Sequence, residues 1–185
     1  MSAVMRFLCA AVFSLFILLP ARADVSSCAC DPSKPETLEV RNCSLCREAE
    51  KQPQDADFFV LKDINPRKPN RWLVLPRVHD EGAHHMHRMS AAERIGLWKR
   101  SVKEAQDRFG DAWGLAYNGS KVRTQCHLHI HVGRWVTAAE NTKFKVVRRI
   151  EDFPAPLEGG ILIHPVKGGY HVHTGEEIME TALVR

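Results

Sequence analysis

Within Cys126-His127-Leu128-His129-Ile130-His131-Val132-Gly133, imidazole and aliphatic side chains alternate without a break from His127 to Val132. Successive side chains of a β-strand point to opposite faces, so this spacing predicts His127, His129 and His131 on one face and Leu128, Ile130 and Val132 on the other. A sheet can bury the aliphatic face and present three imidazoles together. One histidine in a strand is usually a polar residue with a partner. Three at period two repel one another when charged, and each needs a hydrogen-bond partner when buried. The run therefore points to chemistry, of two kinds. Alternate imidazoles converge on a metal ion, or the middle ring attacks phosphorus while its neighbours orient it and bind oxygens. Spacing alone leaves both open.

Outward from this run the chain reads as an α+β domain with a mainly antiparallel sheet. Asp57 to Asp63 and Arg71 to Pro76 are two strands around the turn-forming Asn65-Pro66-Arg67-Lys68-Pro69-Asn70. Ser90-Ala91-Ala92-Glu93 is a capping box, after which Ile95, Trp98, Val102, Ala105 and Phe109 recur at helical spacing until Gly110, which predicts one long amphipathic helix. Further strands are expected at Trp113 to Tyr117, Cys126 to Gly133, Lys143 to Arg149, Gly160 to Ile163 and Tyr170 to His173, with a turn at Lys167-Gly168-Gly169. A short helix is expected around Cys43 to Lys51. A second capping box, Thr174-Gly175-Glu176-Glu177, predicts a short C-terminal helix.

The 185 residues suffice for one domain with a real core. Residues 1–23 read as a signal peptide: Arg6 precedes an apolar run from Phe7 to Leu19, and Ala21-Arg22-Ala23 has small residues where a signal peptidase reads. Cleavage after Ala23 implies a periplasmic or secreted protein. An uncleaved anchor is the weaker alternative, since the run falls short of the ~20 residues that span a bilayer. Removing Arg6 and Arg22 lowers the formal charge from +4 to +2, too little to imply a nucleic-acid partner. Residues 24–42 read as an irregular, cysteine-containing arm, and residues 43–185 as the domain proper. The remaining cysteines, Cys28, Cys30, Cys43, Cys46 and Cys126, form an odd set in a compartment that favours oxidation. Cys43-Ser44-Leu45-Cys46 is half of a zinc site, or pairs in disulfides with Cys28 and Cys30.

His-Leu-His-Ile-His-Val-Gly resembles the signature of the histidine triad (HIT-like) superfamily. Leu61 to Pro66 and Trp72 to His79 resemble that family's ribose-binding strand, proline-containing turn and second strand, and the order of elements also agrees. Phe59 to Asp63 and Arg123 to His131 resemble the bacterial CDP-diacylglycerol pyrophosphatases of the superfamily. The resemblance covers about Cys43 to Arg134. It implies a hydrolase of nucleotide phosphoanhydrides in which His129 attacks the α-phosphorus, water hydrolyses the nucleotidyl-histidine and a nucleoside monophosphate is released. His127, His131 and Asn118 would serve the phosphate groups, Asp63 the ribose, and Gln125 and Arg123 the substrate; no cofactor is required for catalysis. A dinucleoside polyphosphate or nucleoside phosphoramidate is the alternative substrate. A periplasmic zinc-binding protein without turnover is the alternative of another class. The expected partner is a nucleotide or a nucleotide-lipid, with peripheral membrane contact and a homodimer implied by the family.

In relatives that bind zinc, a CxxC joins one histidine after the second strand and the first of the triad. The matching residues are Cys43, Cys46, His79 and His127, which would form a closed structural site. Departures from the family pattern are Gln125 two residues before His127, Arg123 where many members have glutamine, and Arg71 where several have histidine. Arg71 reads as a solvated charge. His84, His85 and His87 read as a solvated loop, and His164, His171 and His173 as polar positions on a terminal strand pair. Trp72, Trp98, Trp113 and Trp135 read as core, and Cys126 as a buried, inert thiol on the aliphatic face.

Overall fold

The computed structural model describes residues 25, 28–78 and 84–185. The signal peptide over residues 1–23 and the candidate ligand His79 lie outside them. Among the described residues seven strands form one sheet: β1 Phe58–Lys62, β2 Trp72–Pro76, β3 Trp113–Tyr117, β4 Ile130–Arg134, β5 Lys145–Val147, β6 Ile161–Val166 and β7 Gly169–Thr174. Their order is β1-β2-β4-β3-β6-β7-β5, with every neighbouring pair antiparallel. The α-helices α1 Ser44–Glu50 and α2 Ala91–Phe109 complete the α+β architecture of the described residues.

The expected capping box opens α2. The Ser90 hydroxyl accepts from the Glu93 N–H, and the Glu93 carboxylate accepts from the Ser90 N–H. Leu97, Trp98, Val102 and Ala105 form the buried stripe of α2, which covers Val74, Leu115, Ile130, Val132, Ile161 and Ile163 on one face of the sheet. Between β6 and β7 the chain reverses over Lys167-Gly168, where Gly168 takes the positive φ of 85° that a side chain would resist. The opposite face of the sheet carries the imidazoles, so the alternation read from the sequence sorts the helix side from the polar side.

Two expectations change. The strand foreseen from Cys126 begins only at Ile130, because the backbone before it is bonded elsewhere. The Cys126 N–H donates to the Asn42 carbonyl at 2.7 Å, and the Cys126 carbonyl accepts from the His84 ring at 3.2 Å. The side-chain alternation survives this departure, since Leu128 stays in the core with Ile130 and Val132. The C-terminal α-helix does not form. Thr174 pairs with Ile161 at the end of β7, Gly175 has φ 96°, and the chain closes in a single 3-10 turn over Met179–Ala182. There the Met179 and Glu180 N–H groups donate to the Asn118 side-chain oxygen, and Arg71 takes the carbonyls of Glu180, Leu183 and Val184. Backbone groups that helical bonds would have satisfied are satisfied by distant side chains.

The arm is held by disulfides Cys28–Cys126 and Cys30–Cys43, and it carries 3-10 turns at Pro35–Glu39 and Arg41–Cys43. Closing a separation of 98 residues is worth about 4–5 kcal/mol in the chain-entropy view. Cys126 thus faces the arm with Val25, Leu38 and Cys46 in a disulfide, correcting its reading as a thiol on the aliphatic face.

Candidate active site

A cavity of about 650 Å³ opens on the sheet face away from α2. His129, His131, Asn118, Asp63, Gln125 and Arg123 all line it, so six of the seven residues singled out for catalysis and substrate binding come together. The seventh, His127, is fully buried and is not among the lining residues. Its Nε2 donates to the Pro76 carbonyl at 2.7 Å, and its own carbonyl accepts from His129 Nδ1 at 2.8 Å. That bond sets the tautomer of His129: the proton sits on Nδ1, and the lone pair on Nε2 is left for chemistry.

Burial pushes His129 down to about 4, against a weaker upward pull from the His127 carbonyl, with Arg123 adding to the depression. His131 is held well below the usual histidine value, first by burial and then by His129. Both rings are neutral at pH 7, and they meet edge to face with centroids 4.9 Å apart. The positive charge of the site comes from arginine and lysine instead of imidazolium. Arg41, Arg47, Lys62, Lys68 and Arg123 line the cavity against Glu48, Asp63 and Glu180.

Arg123 is the unusual member. Its guanidinium is almost wholly buried, one Nη donates to the His84 carbonyl, and its face lies 5.3 Å from the Tyr117 ring. Nε and the other Nη have no hydrogen-bond partner, and among the described residues no carboxylate pairs with it. A buried cation with open donors is costly unless an anion meets it.

Two residues that sequence reasoning set aside or overlooked organise the rest. Arg71, read as a solvated charge, is buried and ties down the C-terminal turn through the three carbonyls named above and through Glu180. Glu180 bonds Lys68 and Arg71 and stands 3.5 Å from His131 Nδ1. Burial alone would raise its carboxyl; His131, Lys68 and Arg71 outweigh that and hold it at about 2. Neither role had a local signal, because Lys68 and Arg71 lie more than a hundred residues from Glu180. Asn118 accepts two N–H groups through its oxygen and so also positions Glu180. Gln125 is engaged at both ends, accepting from Ser44 and Leu45 and donating to Arg41, while Asp63 accepts from the Asn65 N–H.

Of the zinc set Cys43, Cys46, His79 and His127, the cysteine half is lost, and His79 lies outside the described residues. Cys43 is in a disulfide with Cys30, and a disulfide sulfur is not a thiolate ligand. Cys46 keeps a buried thiol that burial pushes up to about 12, away from the thiolate a metal needs. His84 is buried rather than solvated, whereas His85 and His87 contact each other with centroids 5.4 Å apart.

An α+β domain with neutral histidines, buried arginine and an anion-ready cavity is the class that fold and site define. Among characterised proteins, protein HitA of Neisseria gonorrhoeae is 31% identical over 104 residues, covering 49% of this chain and 94% of that protein. The chain belongs to the family of that protein, a HIT-like relation in keeping with the triad motif. No family model matches the chain.

Proposed function

We propose that this protein is an exported histidine triad hydrolase that cleaves a nucleotide phosphoanhydride, with a nucleotide-lipid such as CDP-diacylglycerol as substrate. The observation that carries the reading is the pairing of a neutral His129, its lone pair on Nε2, with the open donors of buried Arg123 in one cavity. Nε2 forms a bond to the α-phosphorus as the bond to the bridging oxygen breaks, and the second phosphate departs with that bond's electron pair. Water then attacks the nucleotidyl-histidine, which frees the nucleoside monophosphate and returns the ring to its neutral state. Arg123 binds the non-bridging oxygens, on which charge is spread in a loose transition state. Asn118, its oxygen taken by the backbone, turns to the phosphates with its amide N–H, and Asp63 serves the ribose. His127 acts through its carbonyl as a positioning residue, and Glu180 holds the Lys68 and Arg71 side of the cavity.

A lipid-linked substrate is favoured over a dinucleotide by the apolar part of the lining, Leu45, Leu61, Ile64 and Leu73. Ile64 is 96% exposed at the cavity mouth, where it suits contact with a membrane surface or an acyl chain. Among the described residues no helix is long and apolar enough to cross a membrane. The two disulfides suit the oxidising compartment that export implies.

The test incubates the purified chain with CDP-diacylglycerol in mixed micelles, a dinucleoside polyphosphate and a nucleoside phosphoramidate. CMP release from the first is expected to dominate and to vanish in His129→Ala, with circular dichroism unchanged. AMP release from either of the others instead would transfer the assignment to that substrate. No product from any of the three removes the hydrolase reading.

A further inference from the structure

A second cluster lies on the same sheet face as the triad, away from the cavity. His164 on β6 sits directly opposite His171 on β7, and His173 follows at period two, so all three rings point to one side. The sequence suggested solvated positions on a terminal pair of strands. Instead β7 is an inner strand flanked by β5, and His164 and His173 are buried. Glu140, just beyond the 3-10 turn Thr137–Ala139, reaches in from the β4–β5 connection.

The four side chains converge as ligands do. His164 Nε2 and His171 Nδ1 lie 2.9 and 3.2 Å from one Glu140 oxygen, and His173 Nε2 lies 3.2 Å from the other. The Nε2 atoms of His164 and His173 are 3.4 Å apart. A tetrahedron built on Zn–N bonds of ~2.0–2.1 Å has edges of about 3.3–3.4 Å, close to these separations. One ligand atom from each residue falls within 4.8 Å of all the others.

Ring orientation supports the same conclusion. His164 Nδ1 donates to the Pro165 carbonyl, which leaves a lone pair on Nε2 facing a carboxylate oxygen and a second ring nitrogen. Electron pairs so arranged repel unless a proton or a metal ion stands between them. Flat contacts fix the rings from outside: Trp135 stacks on His164 at 4.2 Å and Phe144 on His171 at 3.7 Å. This is the outer support that ligating imidazoles ordinarily have.

We propose that Glu140, His164, His171 and His173 form a zinc site distinct from the triad. Four protein ligands fill a tetrahedral shell, so the site is structural: it staples the β4–β5 connection to the β6–β7 hairpin. The C-terminal turn separates it from the triad, with Met179, Ala182 and Leu183 packed on Ala116 and Leu162 between the two.

The test uses the full chain stripped with chelator, then titrated calorimetrically with zinc chloride and, in parallel, with cobalt(II). One zinc per chain, the visible absorption bands of tetrahedral cobalt, and a change in Trp135 fluorescence are expected. Glu140→Gln and the double variant His164→Gln/His173→Gln should each weaken binding roughly tenfold or more. Circular dichroism would confirm that the isosteric Glu140→Gln is folded, and His129→Ala should bind as the parent does. Absence of binding overturns the site, as does binding that survives both variants or is lost in His129→Ala. None of these readouts depends on turnover, so the hydrolase proposal stands or falls separately.

Discussion

Lowering the pH from 7 to 5 should cost this protein stability through His129 in particular. In the unfolded chain the ring titrates near 6.5, and in the folded protein burial lowers that to about 4. Between those values the unfolded state binds a proton that the folded state does not, so stability rises with pH across the window and falls on acidification. From pH 7 to pH 5 the unfolded ring becomes almost fully protonated while the folded ring stays almost neutral, a loss of about 2 kcal/mol. Carried below pH 4, the loss levels off near about 3 kcal/mol. Because the side chain is only 6% exposed, solvent screening takes little from this figure. The measurement is urea unfolding followed by tryptophan fluorescence at both pH values, for the wild type and for His129→Asn. Buried histidines that do not touch His129 contribute equally to both proteins and cancel, while relief of His131 from His129 in the variant can only widen the difference. The wild type should lose about 2 kcal/mol more than the variant on going to pH 5. Equal losses would mean that His129 is not held neutral, and the tautomer argument for its nucleophilic Nε2 would fall with it.

Arg123→Met should leave stability within about 1 kcal/mol of wild type, or raise it, because a buried cation with open donors is replaced by a side chain that needs none; substrate affinity should fall by at least about tenfold. Equal affinity in the variant would show that the guanidinium does not meet the phosphates. Glu180→Gln strips Lys68 and buried Arg71 of their counter-charge and should cost on the order of 3 kcal/mol in chemical unfolding. A change below about 1 kcal/mol would mean that the three backbone carbonyls alone satisfy Arg71.

How much was legible follows from the range of each interaction. The capping box at Ser90 and the apolar stripe of α2 are local, and both formed as read. The second capping box was equally well formed as a motif and failed, since Asn118 and Arg71 compete successfully for the backbone of the last turn. Asp63, Asn118, Gln125 and Arg123 line one cavity with His129 and His131, but the motif could not say how each was engaged. Arg71 read as a solvated charge and Arg123 as a substrate-binding residue, and neither reading contained its burial. Their burial depends on what the β2 start and the β3–β4 connection are packed under.

The sequence by itself determined what a period can encode: the helix face of α2 and the side of the sheet on which His127, His129 and His131 fall. Tertiary structure alone decided protonation, charge partners and which histidines converge. Burial lowered His129, Glu180 arrived beside His131 from the far end of the chain, Cys43 joined Cys30 instead of a metal, and Glu140 gathered His164, His171 and His173. The division has one physical cause. Periodicity fixes direction along a single element, whereas desolvation and ion pairing depend on distances between elements, which no local pattern contains.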